Sequence, residues 1–160
     1  MNAPERPEYA KALNKLEPLL CGWPQKVVVI DGKPTVGKST LGRFLAWRFN
    51  ISLIETDLFL KRNQGRFLYN EEALRTVINF KIQAERPVII EGVVALRLLS
   101  DFNISPDFHI HVTCEEESAP EELAGLEKYC GFKEYAKYCN KFQPRTGADL
   151  VLDLPKLPKF

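Results

Sequence analysis

Short continuous runs of apolar residues alternate along this chain with longer segments in which apolar residues recur every three or four positions. The continuous runs include residues 26–31 and 87–92. Such a run is typical of a strand that is buried on both faces of a parallel sheet. The longer segments predict amphipathic helices. Strands that alternate with helices predict an α/β domain with a parallel sheet covered on both faces.

The same pattern predicts where each element lies. We expect strands over residues 26–31, 51–56, 87–92, 107–113 and 148–153. We expect helices over residues 8–20, 38–49, 93–100 and 119–142, the last with a break at Gly131, and a helix capped by Asn70 that contains Leu74, Val77, Ile78 and Ile82. In residues 57–69 the apolar positions follow no regular period, which predicts a loop. The domain organisation is therefore an N-terminal helical extension (1–24), a main domain (25–154) and a tail (155–160).

Composition narrows the possible partners. The 160 residues fit one domain with a real core. Lysine and arginine together number 22 and aspartate and glutamate 21, which gives a net charge of +1. Because no overall positive field results, neither nucleic acid nor an anionic membrane is an expected partner. Any basic site has to be local.

Targeting signals are not visible in the sequence. No apolar run approaches the roughly 20 residues that span a bilayer, and the N-terminus lacks a basic region followed by an apolar one. Four cysteines sit at irregular spacing in otherwise regular segments. This favours reduced thiols over a disulfide framework. We therefore expect a cytoplasmic protein.

The segment between the first predicted strand and the following helix carries the strongest motif. Gly32-Lys-Pro-Thr-Val-Gly-Lys-Ser39 matches the phosphate-binding pattern G-x-x-x-x-G-K-S/T. Glycines let the backbone approach an anion, and the helix adds its positive end. Lys38 supplies a charge for the β- and γ-phosphates, and Ser39 offers a hydroxyl to Mg²⁺. The predicted binding residues for ATP or GTP are Gly32, Lys33, Pro34, Thr35, Val36, Gly37, Lys38, Ser39 and Thr40.

Two carboxylates follow predicted strands, at the sheet edge where ligands of open α/β sheets bind. Asp57 follows the second strand, and Glu91 ends the third. We predict that Asp57 acts as a general base or orients a substrate hydroxyl; the alternative is a loop cap. We predict that Glu91 binds Mg²⁺, with Ser39 and Asp57 as further metal ligands. Glu55 is a weaker candidate, since a strand residue there can simply face solvent.

Over most of its length the chain resembles the uridine kinase group of P-loop kinases. The resemblance runs over about residues 25–153 and rests on four segments: Gly32–Thr40, Thr56–Phe59, Val88–Leu96 and Phe142–Leu152. It implies a three-layer α/β/α sandwich with strand order 2-3-1-4-5. It also implies that Asp57 activates a nucleoside hydroxyl, that Glu91 helps to hold the metal, and that Arg145, Thr146 and Gly147 lie near the adenine. Its cofactors would be ATP and Mg²⁺.

One feature departs from that group, whose members carry an arginine-rich lid after the fourth strand. Between Arg97 and Arg145 this chain has no arginine, and lysine lacks the planar fork that binds phosphate bidentately. Arg62 and Arg66, in the loop after Asp57, are candidates to supply that charge and to contact substrate. Two functions stay open: a small-molecule kinase, or a nucleotide-binding module with little catalysis. A nucleoside is the favoured acceptor, with a sugar, shikimate-like or pantothenate-like molecule as alternatives.

Weaker patterns favour structural roles. His109 and His111 alternate along a strand and so share a face. A metal site needs three or four converging ligands, and the next possible ligand along the strand does not fall on the same face. A plain strand is the favoured interpretation. The stripe of Tyr129, Phe132, Tyr135, Cys139 and Phe142 predicts the core face of a helix. The sequence leaves the acceptor, the choice of ATP or GTP, and the oligomeric state open.

Overall fold

A parallel five-stranded sheet forms the centre of the protein. The computed structural model describes residues 6–62, 67–114 and 131–155. The strands are β1 (Val27–Asp31), β2 (Ser52–Glu55), β3 (Val88–Glu91), β4 (Phe108–Cys114) and β5 (Leu150–Leu154). Their order across the sheet is β2-β3-β1-β4-β5, with every pairing parallel. The predicted α/β fold and its strand order, 2-3-1-4-5, are confirmed.

Helices connect the strands in the described part of the chain. They are α1 (Ala10–Leu20), α2 (Lys38–Phe49), α3 (Glu71–Gln83), α4 (Ala95–Asp101), α5 (Phe132–Phe142) and α6 (Pro144–Gly147), with short 3₁₀ helices at Pro7–Tyr9 and Thr56–Phe59. Asn70 caps α3 as predicted, because its side chain accepts a hydrogen bond from the Ala73 amide at 3.4 Å. The predicted loop after β2 begins instead with the 3₁₀ turn. Within the described residues, no helix has the length and apolarity that a membrane span requires.

Two hydrophobic cores lie on opposite faces of the sheet. Val27 and Val29 of β1 belong to one core, together with buried residues of α3, α4 and α5. Val28 and Ile30 belong to the other, together with buried residues of α1 and α2. Successive strand residues point to opposite faces, so both faces of β1 have to be apolar. This explains the unbroken apolar run in the sequence.

Helix α1 packs into the second core through Ala12, Leu16 and Leu20, all of which are buried. The segment predicted as an N-terminal extension therefore contributes core side chains to the same layered structure. The division of the chain at residue 24 stays a prediction.

Helix α5 begins directly after Gly131, whose φ of 91° is the left-handed conformation that glycine tolerates. Helix α5 thus starts at the residue where we predicted a break; the predicted helical residues before Gly131 lie outside the described residues, so the break stays a prediction. Tyr135 is buried in the first core, and Cys139 and Phe142 pack against that core, so their predicted core role is confirmed. Tyr129 and the capping pattern predicted from residue 118 lie outside the described residues.

Candidate active site

The predicted phosphate loop connects β1 to α2 at the carboxyl edge of the sheet. Gly32 has φ of 145°, and a Cβ added there would lie 2.3 Å from the carbonyl oxygen of Val112. Gly37 caps α2 with φ of 96°. Both positions therefore need glycine. Because the first amides of a helix have no intrahelical acceptor, the start of α2 at Lys38 offers donors and a positive dipole end to an anion.

Lys38 lies folded against this loop. Its side chain is 5% exposed, and Nζ donates a hydrogen bond to the Lys33 carbonyl oxygen at 2.8 Å. Burial lowers the pKa of Lys38, while the carboxylates of Glu91, Asp57 and Asp31 act in the opposite direction. A single ammonium therefore sits among three carboxylates.

Ser39 and Glu91 meet across the first turn of α2. The Ser39 hydroxyl donates a hydrogen bond to Oε2 of Glu91 at 3.2 Å. Glu91 is 1% exposed, and burial raises the pKa of its carboxyl group, against the opposing charge of Lys38. A hydroxyl and a carboxylate are hard oxygen donors of the kind that Mg²⁺ prefers. Two of the three residues predicted to bind metal are thus side by side, and their chemistry fits the ion.

Asp57 stands in the 3₁₀ turn that follows β2. Partial burial raises the pKa of its carboxyl group, and the nearby Lys38 lowers it. The same charge acts on Glu91, so Asp57 belongs to the same site. The turn is held against β3 by Gly92, where a Cβ would lie only 1.9 Å from Oγ1 of Thr56. The Glu91-Gly92 step therefore allows the ends of β2 and β3 to come together.

Glu55, the weaker candidate, is occupied by an ion pair and does not simply face solvent. Its carboxylate accepts two hydrogen bonds from Arg43 of α2, at 2.6 Å from Nε and 3.0 Å from Nη2. The pair links β2 to the helix that begins at the phosphate loop, and it gives Glu55 a structural role.

Of the three arginines predicted to contact substrate or nucleotide, the structure describes two, Arg62 and Arg145. Arg62 is exposed, three residues after the end of the 3₁₀ turn at Phe59, and Arg66 lies outside the described residues. Arg145 lies in α6, ahead of β5. Their predicted roles, like those of the phosphate-loop residues, Asp57 and Glu91, stay predictions.

An arginine that was not predicted from the sequence lies close to the site. Arg97 of α4 donates a hydrogen bond to the Phe67 carbonyl at 3.2 Å, and its guanidinium lies 5.8 Å from the centre of the Tyr69 ring. The charges of Asp57, Arg97 and Glu91 all act on the Tyr69 hydroxyl. The available signal was a lone charge within the apolar segment that follows Glu91.

A buried polar cluster behind the phosphate loop was also missed. Asp31, at the end of β1, lies against His109 and His111 of β4 and Tyr138 of α5. The sequence interpretation of the two histidines as a plain strand is correct for the backbone. It did not foresee that a third group on the neighbouring strand would converge with them.

The chain is similar to known proteins over part of its length or at low sequence identity. No protein-family model matches the chain. Over 76 residues the chain is 36% identical to a shikimate kinase from Thermobifida fusca (strain YX), a stretch that covers 44% of each protein. The chain thus spans less than half the length of this curated relative.

Solved structures show more distant similarity. A gluconokinase from Sinorhizobium meliloti 1021 aligns with a TM-score of 0.47 and 12% identity, over 84% of this chain and 85% of that one. A shikimate kinase from Bacteroides thetaiotaomicron aligns with a TM-score of 0.44 and 16% identity, over 80% and 85%. The 76-residue match supports resemblance to P-loop small-molecule kinases at this coarse level. Resemblance to the uridine kinase group in particular stays a prediction.

Proposed function

We propose that this chain is an ATP-dependent kinase that transfers the γ-phosphoryl group to a hydroxyl of a small molecule. One observation carries the proposal: Lys38 and the hydrogen-bonded pair of Ser39 and Glu91 lie at the carboxyl edge of the sheet, directly after a glycine-dependent phosphate loop. The match to a shikimate kinase over 76 residues supports it.

The loop and its neighbours would hold the phosphates and the metal. The amides at the start of α2 donate to phosphate oxygens, and the Lys38 ammonium exchanges the Lys33 carbonyl for the β- and γ-oxygens. The Ser39 hydroxyl and the Glu91 carboxylate hold Mg²⁺, directly or through water. When bound, Mg²⁺ neutralises charge on the transferred group.

Asp57 would act on the acceptor. A carboxylate beside the phosphate site can orient a substrate hydroxyl and receive its proton as the oxygen attacks the γ-phosphorus and the bond to ADP breaks. Burial raises the pKa of the Asp57 carboxyl group, against the opposing charge of Lys38. A carboxylate with a raised pKa is a stronger base for the hydroxyl proton.

The acceptor is the least constrained part of the proposal. The uridine-kinase-like segments favour a nucleoside, with Arg145 beside the base and Arg62 and Arg66 near the acceptor. The relative named as a shikimate kinase favours a polyhydroxy acid instead. We place the activity in the cytoplasm, with ATP and Mg²⁺ as cofactors and no nucleic-acid or membrane partner.

A binding module with little turnover is the second candidate. The observation in its favour is that the sequence contains no arginine between Arg97 and Arg145. An arginine that stabilises the transferred phosphoryl group contributes several orders of magnitude in rate. Without one, nucleotide binding would persist while transfer stayed slow.

Acceptor-dependent ADP release separates the two candidates. The protein is incubated with Mg-ATP and, in turn, uridine, other nucleosides, shikimate and gluconate, and products are followed by ³¹P NMR. A kinase gives a phosphate ester with one acceptor class. Lys38→Ala then lowers kcat about 100-fold or more, and Asp57→Asn lowers it about 10²- to 10⁴-fold.

The matched controls are Lys11→Ala and Asp101→Asn, which change an exposed lysine and an exposed aspartate away from the site. Both should leave turnover within twofold of the unsubstituted protein. Saturable ATP binding with no acceptor that accelerates ADP release would support the binding module. Absence of ATP binding by calorimetry would refute both candidates.

A further inference from the structure

Three metal-ligating side chains converge directly behind the phosphate loop. Asp31 immediately precedes Gly32, and both histidines of the chain approach it from β4. Nε2 of His109 and Nδ1 of His111 lie 2.7 Å and 2.8 Å from the same oxygen, Oδ1 of Asp31. Asp31 and His111 are 0% exposed and His109 is 5% exposed. A carboxylate oxygen and two ring nitrogens thus meet in the buried interior.

The sheet holds these groups rigidly. His111 is the register partner of Asp31 on the adjacent strand, and His109 is the partner of Val29. Residues two apart on a strand share a face, so the pairing of β1 with β4 brings the three groups together. Tyr138 of α5 donates a hydrogen bond to the second carboxylate oxygen, Oδ2. The orientation of the carboxylate is therefore fixed from a third element.

We propose that Asp31, His109 and His111 bind a divalent transition-metal ion of the Zn²⁺ class, with Tyr138 as a positioning residue for the carboxylate. The three donor atoms all lie within 4.8 Å of one another. Two imidazoles and one carboxylate are a donor set of Zn²⁺ and Fe²⁺ sites. Mg²⁺ prefers oxygen ligands, so this site is separate from the one proposed at Ser39 and Glu91.

The change in geometry that metal binding requires is small. Metal-to-ligand bonds of about 2.0–2.2 Å put the donor atoms of a tetrahedral site roughly 3.3–3.6 Å apart. The observed separations of 2.7 Å and 2.8 Å then have to open by about 0.5–0.9 Å. Each ring must also present a lone pair, so any proton on these nitrogens moves to the opposite ring nitrogen or to solvent.

Electrostatics favours a cation at this position. Within the described residues, the side chains that hydrogen-bond to Asp31 are the two imidazoles and Tyr138. If both rings are neutral, the cluster carries a buried negative charge beside a loop that receives a polyphosphate. A bound divalent ion changes the charge of the cluster from −1 to +1. This step rests on the proposed function, whereas the donor geometry does not.

Metal titration in the absence of nucleotide tests the proposal. Protein without a histidine tag is stripped with a chelator and titrated with Zn²⁺ by calorimetry and with Co²⁺ by visible absorption. We expect one equivalent per chain, a Co²⁺ spectrum that added Zn²⁺ abolishes, and a Tm that rises with Zn²⁺. Asp31→Asn and His111→Asn, which preserve much of the side-chain shape, should abolish all three effects. Tyr138→Phe should weaken Zn²⁺ binding about 10-fold.

The controls separate this site from other ligands. Cys21→Ser removes an exposed thiol and should leave the titration unchanged, as should excess Mg²⁺. A folded, unsubstituted protein that binds no Zn²⁺, or a titration that survives Asp31→Asn, would overturn the proposal. So would a thiolate-to-Co²⁺ charge-transfer band, which would assign the metal to cysteine. Because no nucleotide is present, failure of the kinase assay would leave this result standing.

Discussion

Gly92→Ala tests the contact that joins the two acidic strand ends of the proposed active site. A Cβ at residue 92 would lie 1.9 Å from Oγ1 and 3.1 Å from Cβ of Thr56, where ordinary contacts are 3.4–4 Å. Thr56 is fully buried, so its side chain cannot turn into solvent. The added methyl group therefore has to push the turn that carries Asp57 away from Glu91.

The size of the effect follows from the overlap. The shortest contact falls short of ordinary contact by about 1.5 Å, and no flexible chain end can move aside to relieve it. Overpacking of a buried site costs about 1–3 kcal/mol, and we expect the upper half of that range. Displacement of about 1 Å at a catalytic group costs about 10²-fold in rate. The same substitution should therefore lower both stability and turnover.

Urea unfolding and the kinase assay measure the two losses, and Thr56→Ala supplies the matched control. It removes the Oγ1 that causes the worst overlap, so Gly92→Ala/Thr56→Ala should regain more than half of the lost free energy of unfolding. The 3.1 Å contact to Cβ remains, so recovery should be incomplete. Two results would contradict a clash between residues 92 and 56: equal stability of Gly92→Ala and the unsubstituted protein, or additive destabilisation by the two substitutions.

Three further predictions concern other parts of the fold. Gly32→Ala should abolish nucleotide binding measured by calorimetry, because its Cβ would lie 2.3 Å from the Val112 carbonyl oxygen at a φ that favours glycine; unchanged affinity would contradict this. Tyr9→Phe should raise the free energy of unfolding by about 1 kcal/mol at pH 7, since the buried hydroxyl has no hydrogen-bond partner among the described residues. Burial raises the pKa of Tyr9, so above about pH 10 the unfolded chain loses this proton before the folded protein does. The folded state then loses stability, by up to about 1.4 kcal/mol per pH unit. Urea unfolding at pH 7 and pH 11 should therefore show a larger gain in stability for Tyr9→Phe at pH 11. Arg43→Ala should lower the free energy of unfolding by less than about 1 kcal/mol, because the Arg43 side chain that pairs with Glu55 is 67% exposed. A larger loss in urea unfolding would contradict a weak surface ion pair.

Most of the fold could be predicted from local sequence patterns. The start of α2 at Lys38 and its end at Phe49 match the prediction because the phosphate-loop motif and the apolar period are both encoded within a few residues. Strands β1 and β3 were predictable because a strand buried on both faces is almost entirely apolar. Strand order came from the family resemblance, since periodicity does not specify which strands are neighbours. The position of Ser39 beside Glu91 followed from the rule that ligands bind at the carboxyl edge.

Contacts between residues far apart in sequence could not be predicted in this way. Tyr138 and Asp31 are 107 residues apart, and the stripe read along α5 assigned its core face without Tyr138. The hydroxyl of that tyrosine meets a carboxylate only because α5 crosses the end of β1. Likewise, the need for glycine at position 92 depends on Thr56, a residue in the 3₁₀ turn that follows β2.

The distribution of charge connects the two proposed sites. Lys38 is subject to the charges of three carboxylates, Glu91, Asp57 and Asp31, so carboxylates outnumber this lysine at the edge of the sheet. A polyphosphate brought to this edge would add further negative charge, and buried like charges interact strongly. Binding is therefore favourable only if cations enter with the nucleotide or are already present. Mg²⁺ at Ser39 and Glu91 would supply charge in front of the loop, and a metal at Asp31 would supply it from behind. The excess of carboxylates is thus what the two proposed cation sites explain together.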